Sequence, residues 1–150
     1  MTRLGFLSPH EADVEPASPL RRVSGPFVDV SLLGKLEVRG DVDGIPIGPG
    51  RVLVVVDGDV RETRDRLVAE GHRVYDQTAA LAALEVEGEK LMRRLTELDL
   101  DALPAVGSIA RGTTAVIERL DGERFRLYVP AELGHFVAEV VTDLAQGLGR

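Results

Sequence analysis

The chain has no cysteine and no tryptophan, and aromatic residues make up only 4% of its 150 positions. Without cysteine there can be no disulfide, thiolate nucleophile, iron–sulfur ligation or cysteine-based zinc knuckle. With so few rings, the core must be built from Val, Leu, Ile and Ala. Basic residues are also in deficit, 18 against 25 acidic ones, for a net charge of −7. That balance argues against nucleic acid as the main partner, because binding phosphates needs an excess of Lys and Arg. No stretch approaches the roughly 18 apolar residues of a membrane span. The beginning, MTRLGFLSPHEADVEPASPLRR, has no apolar core of the kind that marks a signal peptide. A cytoplasmic protein is the expectation, with no membrane and no nucleic acid among its partners.

Hydrophobic residues at 44% and charged residues at 29% indicate a globular chain. Its length is that of one ordinary domain and is enough to bury roughly two-thirds of the unfolded surface. Residues 1–26 hold Pro9, Pro16, Pro19 and Pro26 with little periodicity. They read as a flexible tail, or as an arm that orders against a partner. Residues 27–150 read as a single domain.

Within that domain, FVDVSLLGKLEVR (27–39) alternates in its second half, Leu36 and Val38 against Lys35, Glu37 and Arg39, as a half-buried strand does. GDVDGIPIGPG (40–50) reads as a loop, and RVLVVVD (51–57) as a buried strand. Asp59 to Glu70 reads as a helix, with Asp59 as cap, Glu62 where a capping box places its acid, Val60, Leu67 and Val68 on one face, and Gly71 as stop. Arg73 to Gly88 is extended, with Ala82, Leu84 and Val86 sharing a face. Glu89 to Leu98 is a short helix with an apolar line of Leu91, Leu95 and Leu98. Thr113–Leu120 and Arg124–Val129 flank Asp121-Gly122, the strongest short hairpin signal a sequence offers. Pro130 to Gln146 is an amphipathic helix with a stripe of Leu133, Phe136, Val137, Val140, Val141 and Leu144. The order β-β-α-β-α-β-β-α predicts an α+β fold, a two-layer domain with a mostly antiparallel sheet and helices packed on one face. LEVRGD (36–41) and LEVEGE (84–89) lie 48 residues apart, each after an Asp-containing strand start, FVDVS and VYDQT. They are either a duplicated unit or a coincidence of common residues.

Chemistry is sparse. His10 sits in the tail, His72 past a helix end and His135 on the exposed side of the last helix. No two of them are spaced as a helical zinc motif requires, so no metal site is expected. The loop Gly44-Ile-Pro-Ile-Gly48-Pro-Gly50 matches no phosphate-binding pattern, and its prolines remove amide donors. Glu97, Asp99 and Asp101 read as turn-forming and capping acids. The arginines at 61, 64, 66, 93 and 94 read as partners for neighbouring acids on helix faces, or else as a docking patch for an anionic partner. No residue is assigned a catalytic role.

A resemblance emerges from the order of these parts. Ser18-Pro19-Leu20 comes first, then LLGKLEVRGD, the apolar strand 51–57, VYDQTAALAALEVEGEKLMRRL, the turn LDLDALPAVG, and FRLYVPAELGHFV. Over residues 18–146 the chain resembles the gamma subunit of heterotetrameric sarcosine oxidase, within the folate-binding aminomethyltransferase superfamily to which the glycine cleavage T-protein belongs. The T-protein type carries a G-G-x-x-D-D hairpin. Here the corresponding stretch, Ala110 to Glu118, has neither paired glycines nor paired acids. The K-G-C-Y-x-G-Q-E motif of related assembly factors is impossible without cysteine. The resemblance therefore implies an accessory subunit, not catalytic alone, that packs against larger subunits carrying flavin and folate in an amine-oxidising oxidoreductase. The alternatives are a free-standing tetrahydrofolate-binding, aminomethyltransferase-like enzyme and a ligand-free, homodimeric interaction module. The folate-binding alternative needs a pocket between residues 73–78 and 113–129, with Asp76 or Glu118 as its acid.

Overall fold

A computed structural model describes residues 15–149. The expectation for His10, and for residues 1–14 of the tail, lies outside the described residues. Nine strands and three α-helices follow one another as β1 (Val28–Asp29), β2 (Gly34–Arg39), β3 (Ile45–Gly48), β4 (Arg51–Val56), α1 (Val60–Ala69), β5 (Arg73–Asp76), β6 (Leu81–Glu87), α2 (Glu89–Leu95), β7 (Ala105–Ile109), β8 (Thr113–Asp121), β9 (Arg124–Pro130) and α3 (Gly134–Leu148). The fold is α+β and its strand pairings are antiparallel.

The strands form two sheets, ordered β1-β6-β9-β8-β7 and β3-β4-β2-β5. The larger sheet turns Ala82, Leu84, Val86, Ile117, Phe125, Leu127 and Val129 toward α2 and α3, where Leu91, Leu95, Val137 and Val141 complete the main core. The smaller sheet turns Leu36, Val38 and Val56 toward Leu67 of α1. Between the sheets lie Ile45, Leu53, Ala83 and Tyr128. The expected layer of helices on one face is thus present twice, and the two units meet sheet to sheet. Alternation predicts one buried face per strand; the second sheet buries part of the other.

Several boundaries differ from the sequence reading, each for a local reason. Residues 45–48, read as loop, form β3, an edge strand where Pro46 forgoes an amide no neighbour needs. Residues 73–88 are two strands belonging to different sheets. The helix from Glu89 stops at Leu95, where Thr96 turns extended and bridges Ile109. AVGSI (105–109) is a strand, β7, that periodicity missed because Gly107 gives up its side chain to the packing of Leu98. In α1, Asp59 caps as expected, accepting from the Glu62 amide at 3.0 Å, but Val68 is exposed. Leu133 is likewise exposed, in a 3-10 turn ahead of α3. Of the segment read as tail, Leu20 is fully buried in the main core, its Cδ2 3.1 Å from where a Cβ on Gly134 would stand, so the packed structure begins before Phe27.

The resemblance between LEVRGD and LEVEGE is structural. Units β1-β2-β3-β4-α1 and β5-β6-β8-β9-α3 have the same order and pairing, with α2 and β7 inserted in the second. Each unit lends its first strand to the other's sheet. Asp29 of β1 pairs with Leu84 of β6, and Asp76 of β5 pairs with Leu36 of β2. The two halves are thereby interlocked.

Candidate functional site

At the exchange point each half presents the same device. Asp29 Oδ1 accepts from the Ser31 amide at 3.0 Å, and Asp76 Oδ1 accepts from the Thr78 amide at 2.9 Å. Each turn aims a hydroxyl at the other half's strand. Ser31 Oγ accepts from the Ala83 amide at 3.0 Å and donates to the Ala83 carbonyl at 3.2 Å; Thr78 Oγ1 accepts from the Lys35 amide at 3.1 Å. Alanine in one half stands where lysine stands in the other, and Lys35 is fully buried. Its ammonium donates to the Ser31 carbonyl. Burial brings its pKa down to about 8, against the opposing pull of the Asp29 and Asp76 carboxylates. Asp29 sits below its usual value: burial pushes it up, but hydrogen bonds from Ser18 and Ser31 and the Lys35 charge outweigh that. Two cavities flank this point, both touching exposed Leu32. One, of about 390 Å³, is lined by Asp29, Leu33 and Asp57, and the other, of about 420 Å³, by Pro16, Ser31, Asp76 and Thr78.

The second cluster lies on the inter-sheet side of the larger sheet. Arg126 holds Glu85 at 2.7 Å and Glu118 at 3.1 Å, and Tyr128 Oη donates to Glu118 at 2.7 Å while accepting from Arg126 at 3.2 Å. Burial pushes the Tyr128 hydroxyl above the usual tyrosine range, and the neighbouring carboxylate reinforces the shift. Register explains the grouping, since Glu85 and Glu118 both stand opposite Arg126 on its two flanking strands.

Asp76 and Glu118 are therefore not brought together. Asp76 belongs to the smaller sheet and caps its own turn; Glu118 belongs to the larger one and is held by Arg126 and Tyr128. The two acids thus stand on strands of different sheets, β5 in the smaller and β8 in the larger. Lys35, Arg126 and Tyr128 were not singled out by sequence. The Lys35 alternation pointed to solvent, and only the second sheet reverses that. Among the acids read as turn-formers, Asp99 accepts from the Asp101 amide at 3.0 Å, and Asp101 pairs with Arg119 at 3.3 Å. His135 is exposed and meets Glu139 at 3.1 Å. Among the described residues no cluster of His, Asp and Glu could hold a metal ion, and no helix is long and apolar enough to cross a membrane.

No protein-family model matches the sequence, and a search of curated proteins finds none significantly similar. Among solved structures, the fold matches a chain of the heterotetrameric sarcosine oxidase from Corynebacterium sp. U-96, solved in complex with pyrrole 2-carboxylate. The TM-score is 0.74 at 16% identity, over 90% of this chain and 97% of that one.

Proposed function

We propose that this chain is a small accessory subunit of a hetero-oligomeric, sarcosine oxidase-like amine-oxidising complex, docked against larger subunits that carry flavin and folate. The observation that carries this reading is the shared fold over nearly the whole of both chains. The likeness is to an entire polypeptide of an assembly, not to one domain inside a longer enzyme. The chemistry of the candidate residues supports it. Glu118 is committed to Arg126 and Tyr128, Asp76 to the turn at Thr78, and Lys35 is sealed between the halves. Each of these groups already serves a local structural contact within a strand pair or turn. The role left for the chain is to present surface.

The test is affinity purification of the tagged chain from its own host, with the partners identified by mass spectrometry and the flavin by absorbance. A flavoprotein recovered in stoichiometric amount supports the proposal. A chain that elutes free of flavoprotein contradicts it.

A further inference from the structure

The end of the smaller sheet carries an arrangement that its own fold does not complete. Arg39 of β2 stands directly opposite Arg51 of β4 on one side and Arg73 of β5 on the other, so three arginines lie side by side on one face. Like charges directly opposite across a ladder are unfavourable. One carboxylate answers them. Glu37 accepts from Arg51 Nε at 2.9 Å and forms an ion pair with Arg39 Nη2 at 3.1 Å, and these guanidiniums hold its pKa below the usual range. Arg73 has no ion-pair partner among the described residues, whereas Arg119, Arg124 and Arg126 each have one or more. In a chain of net charge −7 this is a concentrated positive spot.

The duplicated half shows that the fold does not require it. The position equivalent to Arg39 is Glu87, which faces Arg124 in register, a pairing of opposite charges. The same strand in two copies thus has a compensated version and an uncompensated one. The uncompensated row also runs out at an edge. β5 is the last strand of its sheet. The Gln77 amide donates to the Lys35 carbonyl, and alternation from that pair turns the amides and carbonyls of Val74 and Asp76 away from β2. Tyr75 is 47% exposed, with the Arg39 guanidinium 5.8 Å from its ring centre. Arg39, Gly71, Arg73 and Tyr75 line an open cavity of about 580 Å³.

We infer that β5 is a docking edge for an extended acidic segment of a partner subunit, which adds to the sheet as a further strand and sets a carboxylate beside Arg73. The inference rests on the subunit role proposed above. Backbone hydrogen bonds to Val74 and Asp76 supply the adhesion, and the acid continues the row Arg51–Arg39–Arg73 with the opposite charge. Tyr75 offers an aromatic surface to the next side chain on the same face.

The test uses the full chain and a short fluorescein-labelled peptide alternating glutamate with valine, followed by fluorescence anisotropy, with a lysine–valine peptide as control. The glutamate peptide is expected to bind, more weakly as salt rises, and the lysine peptide not to bind. Arg39→Glu with Arg73→Glu should lower affinity at least about tenfold. Arg61→Glu with Arg64→Glu, on the exposed side of α1, changes net charge equally and should leave it within about twofold. Val74→Pro removes an amide the native sheet does not use and should weaken binding comparably. Should that variant fail to fold by circular dichroism, the arginine pair decides. Failure of the glutamate peptide to bind, or undiminished binding by either folded variant, overturns the inference. In the assembled complex the same variants separate the two claims. A wild-type chain that co-purifies with flavoprotein, while both variants do so equally, overturns the docking edge and leaves the subunit role standing. A wild-type chain that recruits no flavoprotein overturns the subunit role, and the peptide result then decides the edge alone.

Discussion

Lys35 is the residue whose environment departs furthest from what its identity suggests. In sequence it alternates with Leu36 in company with Glu37 and Arg39, and the pattern sends all three to solvent. Glu37 is half-buried and Arg39 exposed, but Lys35 is enclosed where the two halves exchange strands. Alternation reports which residues share a face, and it cannot report that a second sheet covers one end of that face. The consequence is measurable. The folded pKa of about 8 lies below the ordinary 10.5, so between these values the unfolded chain holds a proton the folded one has released, and stability rises with pH. Tyr128 acts in the opposite sense above its ordinary value of 10, because the unfolded tyrosine ionises first. From pH 8 to about 10, chemical denaturation should therefore show a gain on the order of 2 kcal/mol in the wild type. In Lys35→Met that rise should be absent. An equal rise in both proteins would remove Lys35 from the account.

At the scale of elements, the exchange of first strands is held by two hydroxyls, Ser31 on Ala83 and Thr78 on Lys35. Ser31→Ala strands the buried Ala83 amide, while the Ala83 carbonyl keeps the Val30 amide at 3.0 Å, and about 1–3 kcal/mol of stability should be lost, with Thr78→Ala, which strands an amide at a part-buried contact, costing less. Urea unfolding of both variants checks the order; a larger loss for Thr78→Ala would reverse the assignment. Leu20 belongs to the same scale. Its burial between β6 and α3 ties the segment before Phe27 into the main core, so Leu20→Ala should cost about 2–4 kcal/mol, where a true tail residue would cost nothing. Composition hid this, because one buried leucine among prolines leaves no periodic trace. Elements with a strong local signal were legible: the Asp59 cap, the Asp121-Gly122 hairpin, and the alternation of Ala82, Leu84 and Val86. β3 and β7 were not, since their Gly and Pro positions are licensed by edge location and by Leu98.

At the scale of the whole molecule, the repeat of LEVRGD in LEVEGE was visible as a similarity, while its meaning depended on pairings between strands distant in the chain, such as Asp29 with Leu84 and Leu36 with Asp76. Which strand joins which sheet is decided by those distant contacts and not by either segment alone. The duplication also gives an internal reference. Where the halves differ, Lys35 against Ala83 and Arg39 against Glu87, the fold tolerates both, so the difference is free to serve a purpose beyond folding. The candidate acids Asp76 and Glu118 were found by sequence individually, but their assignment to separate sheets was not, for the same reason of distant pairing. A molecule whose halves are locked by exchanged strands, and whose arginine row ends on an edge strand, is suited to assembly.

Native mass spectrometry of the chain purified from its host tests that claim most directly. The expected species is a hetero-oligomer that contains this chain together with flavin-bearing subunits. A species at the chain's own 16.2 kDa, or a homo-oligomer without flavoprotein, would contradict it.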